Sequence, residues 1–143
     1  MIEANVTATP TLTLKGQDWP LIGAYAMKDD AGNYSVFVLS RKLDGKHSGA
    51  DLGDGYTPVT LKLPFARAKR ITLHALAQPD GSPANPRDNN FDAEKVKIVS
   101  REIPAAHLKA DFVIDPATGG GPGGLPPGGI YLYVFQGCEP AAR

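Results

Sequence analysis

A chain of 143 residues has the length of about one domain and can bury a core without disulfides or a structural metal. Lysine plus arginine and aspartate plus glutamate each number 15, so the formal net charge is zero, which argues against a nucleic acid or an anionic membrane as partner. The single cysteine, Cys138, excludes an internal disulfide. We therefore expect one domain over residues 1–143, with residues 1–10 and 138–143 as tails.

The first half of the chain predicts three strands, because apolar and polar residues alternate between glycine and proline punctuation. These strands cover residues 11–15 (TLTLK), 21–27 (LIGAYAM) and 34–40 (YSVFVLS). Residues 29–33 (DDAGN) predict a short hairpin turn between the last two, since Gly and Asn tolerate positive φ. Residues 44–56 (DGKHSGADLGDGY) are too polar and too rich in glycine to be buried and predict a long exposed loop.

The second half predicts five more strands, over residues 59–63, 71–76, 96–102, 112–115 and 130–135. Residues 64–69 are too few for a crossover helix, which predicts antiparallel neighbours on either side. Residues 78–92 predict a second long loop, and the run GGGPGGLPPGG (119–129) excludes regular structure. Only residues 92–99 and 104–109 are compatible with a helix, of about two turns at most.

The predicted fold class is therefore all-β, an antiparallel β-sandwich of jelly-roll or immunoglobulin-like type with about eight strands. The start, MIEANVTATP, lacks the basic and apolar segments of a signal peptide, and no apolar run approaches the roughly 18 residues that span a bilayer. We expect a soluble domain whose partner is neither a membrane nor a nucleic acid.

No catalytic or metal-binding motif is evident. The histidines His47, His74 and His107 are scattered and have no Cys, Asp or Glu partner at metal-ligand spacing. His74 alternates away from Ile71 and Leu73, which predicts a surface position on a strand. We therefore expect no enzyme activity, no metal centre and no cofactor.

A structural Ca²⁺ is the alternative that the loops leave open. Carboxylate and amide oxygens of the kind that Ca²⁺ takes are concentrated in the two long loops. The residues are Asp51, Asp54, Asp88, Asn89, Asn90 and Asp92. The same residue types are also common in loops because they form Asx turns.

Aromatic side chains offer the candidate binding site, because a flat ring stacks on the apolar face of a sugar while polar neighbours take its hydroxyls. The aromatic candidates are Trp19, Tyr25, Tyr34 and Tyr56. The polar candidates are five residues of the two long loops: Asp51, Asp54, Arg87, Asn89 and Asn90. A core position is the alternative for each aromatic candidate. A second aromatic set lies inside apolar runs and is assigned to the core or a domain interface: Phe37, Tyr131, Tyr133 and Phe135.

Several segments in order resemble a known accessory domain. They are AYAMKDDAGN (24–33), YSVFVLSRKL (34–43), VTLKLPF (59–65), the Asn-Asn-Phe segment before Val96, and LPPGGIYLYVF (125–135). Together they are similar to the C-terminal β-sandwich that follows the catalytic (β/α)8 barrel in glycoside hydrolases of the α-L-arabinofuranosidase and β-xylosidase-like groups. The similarity spans residues 18–137, and two positions depart from it: Ser40 stands where that family usually has Asn, and Gly129 where it usually has Ser.

In that family the catalytic glutamates belong to the barrel, so the resemblance implies a non-catalytic module resembling a carbohydrate-binding module. Its implied partners are an oligo- or polysaccharide and a glycoside hydrolase domain in cis, in a secreted or periplasmic setting. Direct sugar binding is favoured if Trp19, Tyr25 or Tyr56 line an open face or cleft, whereas one broad apolar patch favours a domain that braces the barrel. A structural or protein-interaction sandwich without a glycan role is the second hypothesis, and an enzyme is the third.

Overall fold

The computed structural model describes residues 5–6, 11–14, 17–20, 22–40, 56–77, 97–108, 111–126 and 128–140, with backbone alone for those up to residue 20. Within these residues the chain forms twelve strands and two single-turn 3₁₀ helices, Ala105–His107 and Pro116–Thr118. The strands are β1 (Asn5–Val6), β2 (Thr11–Leu14), β3 (Gln17–Pro20), β4 (Ile22–Lys28), β5 (Tyr34–Ser40), β6 (Thr60–Lys62), β7 (Phe65–Arg67), β8 (Arg70–Ala77), β9 (Lys97–Ile103), β10 (Asp111–Val113), β11 (Ile130–Gln136) and β12 (Glu139–Pro140). Each of the eight predicted strands is present, and the all-β, antiparallel sandwich is confirmed.

The main layer is a five-stranded antiparallel sheet in the order β4-β5-β11-β8-β9. Its central strand, β11, is rich in aromatic and β-branched residues, which suit a pleated and buried surface. Because side chains alternate along a strand, Tyr131, Tyr133 and Phe135 all face inward and are buried. The strand that comes late in the sequence is therefore the middle of the sheet.

The β4–β5 hairpin forms as predicted, and its turn is closed by Asp29. The backbone N–H groups of Ala31 and Asn33 both donate to Asp29 Oδ1 at 2.9 Å, and the Asn33 side-chain amide donates to Asp29 Oδ2 at 2.9 Å. These bonds favour the charged form and hold the pKa of Asp29 below its ordinary value. Gly32 takes the positive φ of 84° that the turn requires.

The second layer covers the inward face of the main sheet. It includes the three-stranded sheet β1-β6-β10 and the pair β7-β12, while β2 and β3 pair with each other. Phe112 of β10 lies 5.1 Å from Tyr133 and 5.6 Å from Phe135, ring centre to ring centre, and Phe65 of β7 lies 5.0 Å from Phe135. The core is therefore an aromatic layer between two sheets, as in a sandwich.

The segment between β6 and β8 differs from the prediction. Residues 64–69 include a strand of their own, β7, whose Phe65 is buried. The flanking strands β6 and β8 lie in different sheets, so the prediction that they are antiparallel neighbours is wrong. Burial of Phe65 between the layers gives the physical reason, because the chain crosses from one sheet to the other there.

Two further segments behave in part as the sequence suggests. The described residues of the glycine and proline run form turns and isolated bridges, with no strand or helix among them before Ile130. Of the two segments compatible with a helix, residues 104–109 contain one 3₁₀ turn, and residues 97–99 belong to β9. The segments expected to be tails contribute the two-residue strands β1 and β12.

No helix in the part of the chain that the structure describes is both long and apolar enough to span a membrane.

Candidate functional site

An open cleft of about 280 Å³ lies over inward-facing side chains of the main sheet. Its floor is mainly apolar and comes from β8 and β9, with Leu73, Ala75 and Val99. Tyr56 and the glycine segment 119–121 form the facing wall, and Arg101 and Tyr131 also line the space. The cleft thus combines an aromatic ring, a guanidinium group and an apolar floor.

Arg101 reaches the cleft because of the alternation along β9. Val99, Arg101 and Ile103 share the inward face, where Ile103 is buried while Val99 and Arg101 are exposed. The second layer therefore covers the end of this strand at Ile103 and leaves Arg101 and Val99 accessible. Arg101 Nη2 donates to the Pro116 backbone oxygen at 3.4 Å, which is a long contact for a hydrogen bond.

Two buried tyrosines hold the glycine wall in place. The Tyr133 hydroxyl donates to the Thr118 carbonyl at 2.7 Å, and the Tyr131 hydroxyl donates to the Gly119 carbonyl at 2.9 Å. Burial raises the pKa of Tyr131 to about 12, with a further rise from Tyr56 and an opposing effect from Arg101. Burial also raises the pKa of Tyr133 far above its ordinary value, so both phenols are neutral donors near neutral pH.

The turn before the wall is fixed by a reciprocal cap. The Asp115 carboxylate accepts from the N–H groups of Ala117 at 2.9 Å and Thr118 at 3.2 Å, while Asp115 N–H donates to Thr118 Oγ1 at 2.9 Å. Gly120 N–H then donates to the Asp115 carbonyl at 2.7 Å. The wall is thus set by its own hydrogen bonds before any ligand arrives.

Glycine is required in the wall because Tyr56 packs directly against it. A Cβ atom on Gly121 would overlap the Tyr56 ring, and one on Gly123 would lie 3.1 Å from Tyr56 Cβ. The half-buried Tyr56 ring therefore packs closely against the glycine segment beside the cleft.

The outward face of the same sheet is a second surface of note. One row crosses all five strands at Tyr25, Phe37, Leu132, His74 and Ser100. Apolar side chains flank this row on the same face, among them Met27, Leu39, Ile98, Ile130 and Val134. We call these residues and the row the outward patch. The side chains of Tyr25 and Ile98 are 45% and 71% exposed.

The predicted site residues do not all converge. Tyr56 lines the cleft, whereas Tyr25 lies on the outward face of the sheet, so the two cannot bind the same sugar residue. Trp19 is in β3, where its backbone pairs with that of Leu12, and its side chain is outside the described part of the structure. The loop candidates also lie outside the described residues: Asp51, Asp54, Arg87, Asn89 and Asn90.

The proposed calcium ligands likewise fall outside the described residues, so a structural Ca²⁺ stays a prediction. Within the described ranges, no three His, Cys, Asp or Glu side chains converge as metal ligands would. His74 lies on the outward face of β8, as predicted, with its Nδ1 2.7 Å from Ser100 Oγ. Cys138 is half-buried, its Sγ donates to the Phe135 carbonyl at 3.3 Å, and burial raises the pKa of its thiol.

Sequence reasoning missed Arg101 and the glycine segment 119–121 as site residues, and it assigned Tyr131 to the core or a domain interface. Tyr131 is indeed buried, yet it also lines the cleft. A usable signal existed for Arg101, because in KIVSREI it shares a face with Val99 and Ile103. Because an arginine is rarely buried without a partner, its place on this face predicts that the second layer does not cover the strand there.

The chain matches no protein-family model, no curated protein and no solved structure.

Proposed function

We propose that this chain is a non-catalytic carbohydrate-binding module that accompanies a glycoside hydrolase in a secreted or periplasmic setting. The observation that supports it is the cleft in which Tyr56 and Arg101 stand over an apolar floor. Sugars have apolar ring faces and polar edges, and sites with aromatic rings and a few directed polar groups suit both.

The dimensions of the cleft favour one sugar residue. Its volume of about 280 Å³ is just below the range of roughly 300 to 1,000 Å³ for small-molecule sites. A terminal residue or a side branch of a polysaccharide fits such a space. Hydrogen bonds from Tyr131 and Tyr133 and to Asp115 hold the wall in place. Binding therefore has little entropic cost from ordering the wall.

Binding without cleavage fits the cleft. Glycosidic bond hydrolysis usually needs two carboxyl groups on opposite sides of the bond. The described residues that line the cleft include no carboxylate.

We expect Tyr56→Ala to weaken glycan binding about five- to thirtyfold, because loss of a stacked aromatic ring costs about 1 to 2 kcal/mol. The measurement is retardation in native gels that contain plant or algal polysaccharides, followed by calorimetric titration with the retarding polymer. Tyr25→Ala is the matched control, since it removes a tyrosine from the opposite face and should leave retardation unchanged. An unretarded wild type across a broad panel contradicts the proposal, as does a loss confined to Tyr25→Ala.

The outward patch favours a second candidate function, docking onto a catalytic (β/α)8 barrel. An antiparallel sheet with one face in the core usually carries polar residues on the other. Here the second face carries many apolar side chains, with Tyr25, Met27, Ile98 and Ile130 exposed. Polar side chains share that face mainly on β8 and β9, where Thr72, His74, Ser100 and Glu102 lie. Such patches are typical of interfaces.

For this second candidate we expect the chain to form a complex with a catalytic barrel of the arabinofuranosidase group in sedimentation velocity. Tyr25→Lys should abolish the complex, because it places a charge on the apolar side of the outward patch, where β4 and β5 lie. Tyr56→Ala should leave it intact, which makes the two variants controls for each other. Co-sedimentation that survives Tyr25→Lys would remove the outward patch as the docking surface.

A further inference from the structure

We infer that the cleft selects a sugar that carries a carboxylate, namely a uronic acid residue, and that Arg101 is the side chain that recognises it. This inference rests on the proposed sugar-binding role of the same cleft.

The guanidinium of Arg101 has N–H groups that donate to no acceptor among the described residues. An arginine offers five N–H donors, and the hydrogen bond described for this one is the 3.4 Å contact with the Pro116 carbonyl. Within the described residues it has no carboxylate partner, in contrast to Arg70, whose Nη2 lies 3.8 Å from Glu102 Oε2. An unpaired guanidinium over an apolar floor is well placed to take an anion.

The other polar groups of the wall leave this role to Arg101. The N–H groups of Gly120 and Gly121 donate to the carbonyls of Asp115 and Gly124 at 2.7 and 2.8 Å. The Tyr131 hydroxyl donates to Gly119. Arg101 therefore supplies most of the available donors among the described lining residues, together with the Tyr56 hydroxyl.

The charge of the cleft points the same way. Arg101 is the one charged residue among the described lining residues, and the phenol of Tyr131 beside it is neutral. The Asp115 carboxylate is engaged with the amides of Ala117 and Thr118. The described lining of the cleft is thus positively charged, in a chain whose formal net charge is zero.

The shape of the ligand follows from these groups. A planar guanidinium matches the two oxygens of a planar carboxylate. The apolar floor of Leu73, Ala75 and Val99 strengthens that attraction because it keeps water away from one side. In this arrangement the Tyr56 ring stacks on the sugar ring while Arg101 binds the carboxylate at C6.

The test compares methyl β-D-glucuronide with methyl β-D-glucoside. The two differ only in the group on C5, which is a carboxylate in the first and a hydroxymethyl group in the second. We expect the glucuronide to bind at least about tenfold more tightly, as charged hydrogen bonds are worth about 1.5 to 3 kcal/mol. The measurement is nuclear magnetic resonance titration of the backbone amides of residues 119–121, since it detects weak binding and locates it. Arg101→Gln should bring the two affinities together, whereas Arg67→Gln, the same charge change on an exposed residue of β7, should preserve the preference.

Each outcome separates this inference from the proposed function. Equal binding of both sugars that depends on Tyr56 overturns the acidic selectivity and leaves a neutral-sugar module standing. A preference that persists in Arg101→Gln overturns the role of Arg101. Equal or tighter binding of glucose 6-sulfate overturns the choice of a carboxylate, and no shift with any of the sugars overturns the inference, whereas the proposed function is judged separately by gel retardation.

Discussion

We expect Phe112→Ala to lower the free energy of unfolding by about 3 to 5 kcal/mol, which is a large part of the 5 to 15 kcal/mol typical of a domain. Phe112 lies in the middle of β10 with none of its surface exposed. Its ring meets those of Tyr133 and Phe135 edge to face across the two layers. Truncation removes these contacts and leaves a cavity that rigid strands on both sides cannot close.

Urea unfolding monitored by circular dichroism measures this loss. The matched control is Val113→Ala, the next residue of the same strand, whose side chain is 46% exposed. The control changes β10 without opening the core, so we expect it to cost less than about 1 kcal/mol. Equal losses for the two variants would show that Phe112 does not join the layers as described.

The alternation of apolar and polar side chains predicted the strands because this pattern depends only on neighbouring residues of the same strand. In β5, the run YSVFVLS places Val36, Val38 and Ser40 on the buried face, and the structure shows that pattern. Pairing between strands is not local. The partners of β11 are β5 and β8, which lie far from it in the chain. The sequence of β11 does not predict which strands pair with it.

The link between β6 and β8 shows where sequence reasoning reaches its limit. A short link is compatible both with a hairpin and with a crossing between layers. The buried ring of Phe65 decides for the crossing. That burial depends on Tyr34 and Phe135, whose ring centres lie 4.8 and 5.0 Å away, and both are remote in sequence.

The candidate site was predicted only in part for the same reason. Tyr56 was identified from its type and its place at the end of a polar loop, and it lines the cleft. The alternation that puts Ala26 in the core also puts Tyr25 outside it, on the other side of the sheet. The cleft itself forms only when Tyr56, Arg101 and the glycine segment 119–121 meet, which a one-dimensional pattern does not show.

We expect Gly124→Ala to cost about 2 to 5 kcal/mol of stability and to weaken sugar binding as well. Gly124 has a φ of 114°, which side-chain-bearing residues rarely adopt, and a Cβ atom there would overlap the Thr57 carbonyl oxygen. That oxygen accepts from Leu125 N–H at 2.8 Å, and Thr57 N–H donates to the Leu125 carbonyl at 2.9 Å. The substitution therefore strains the bridge that holds residues 121–124 against Tyr56.

Gly32→Ala is the control that separates backbone strain from collision. Gly32 also has a positive φ, 84°, but the nearest atom to its added Cβ would be the Cys138 carbonyl oxygen at 3.9 Å. We expect it to cost only about 1 kcal/mol, the price of an alanine in a left-handed conformation. Urea unfolding of both variants gives the difference. If the two losses are equal, the Thr57–Leu125 bridge adjusts to the added Cβ atom without a further loss of stability. The glycine wall is then not the rigid side of the cleft that the sugar-binding proposal requires.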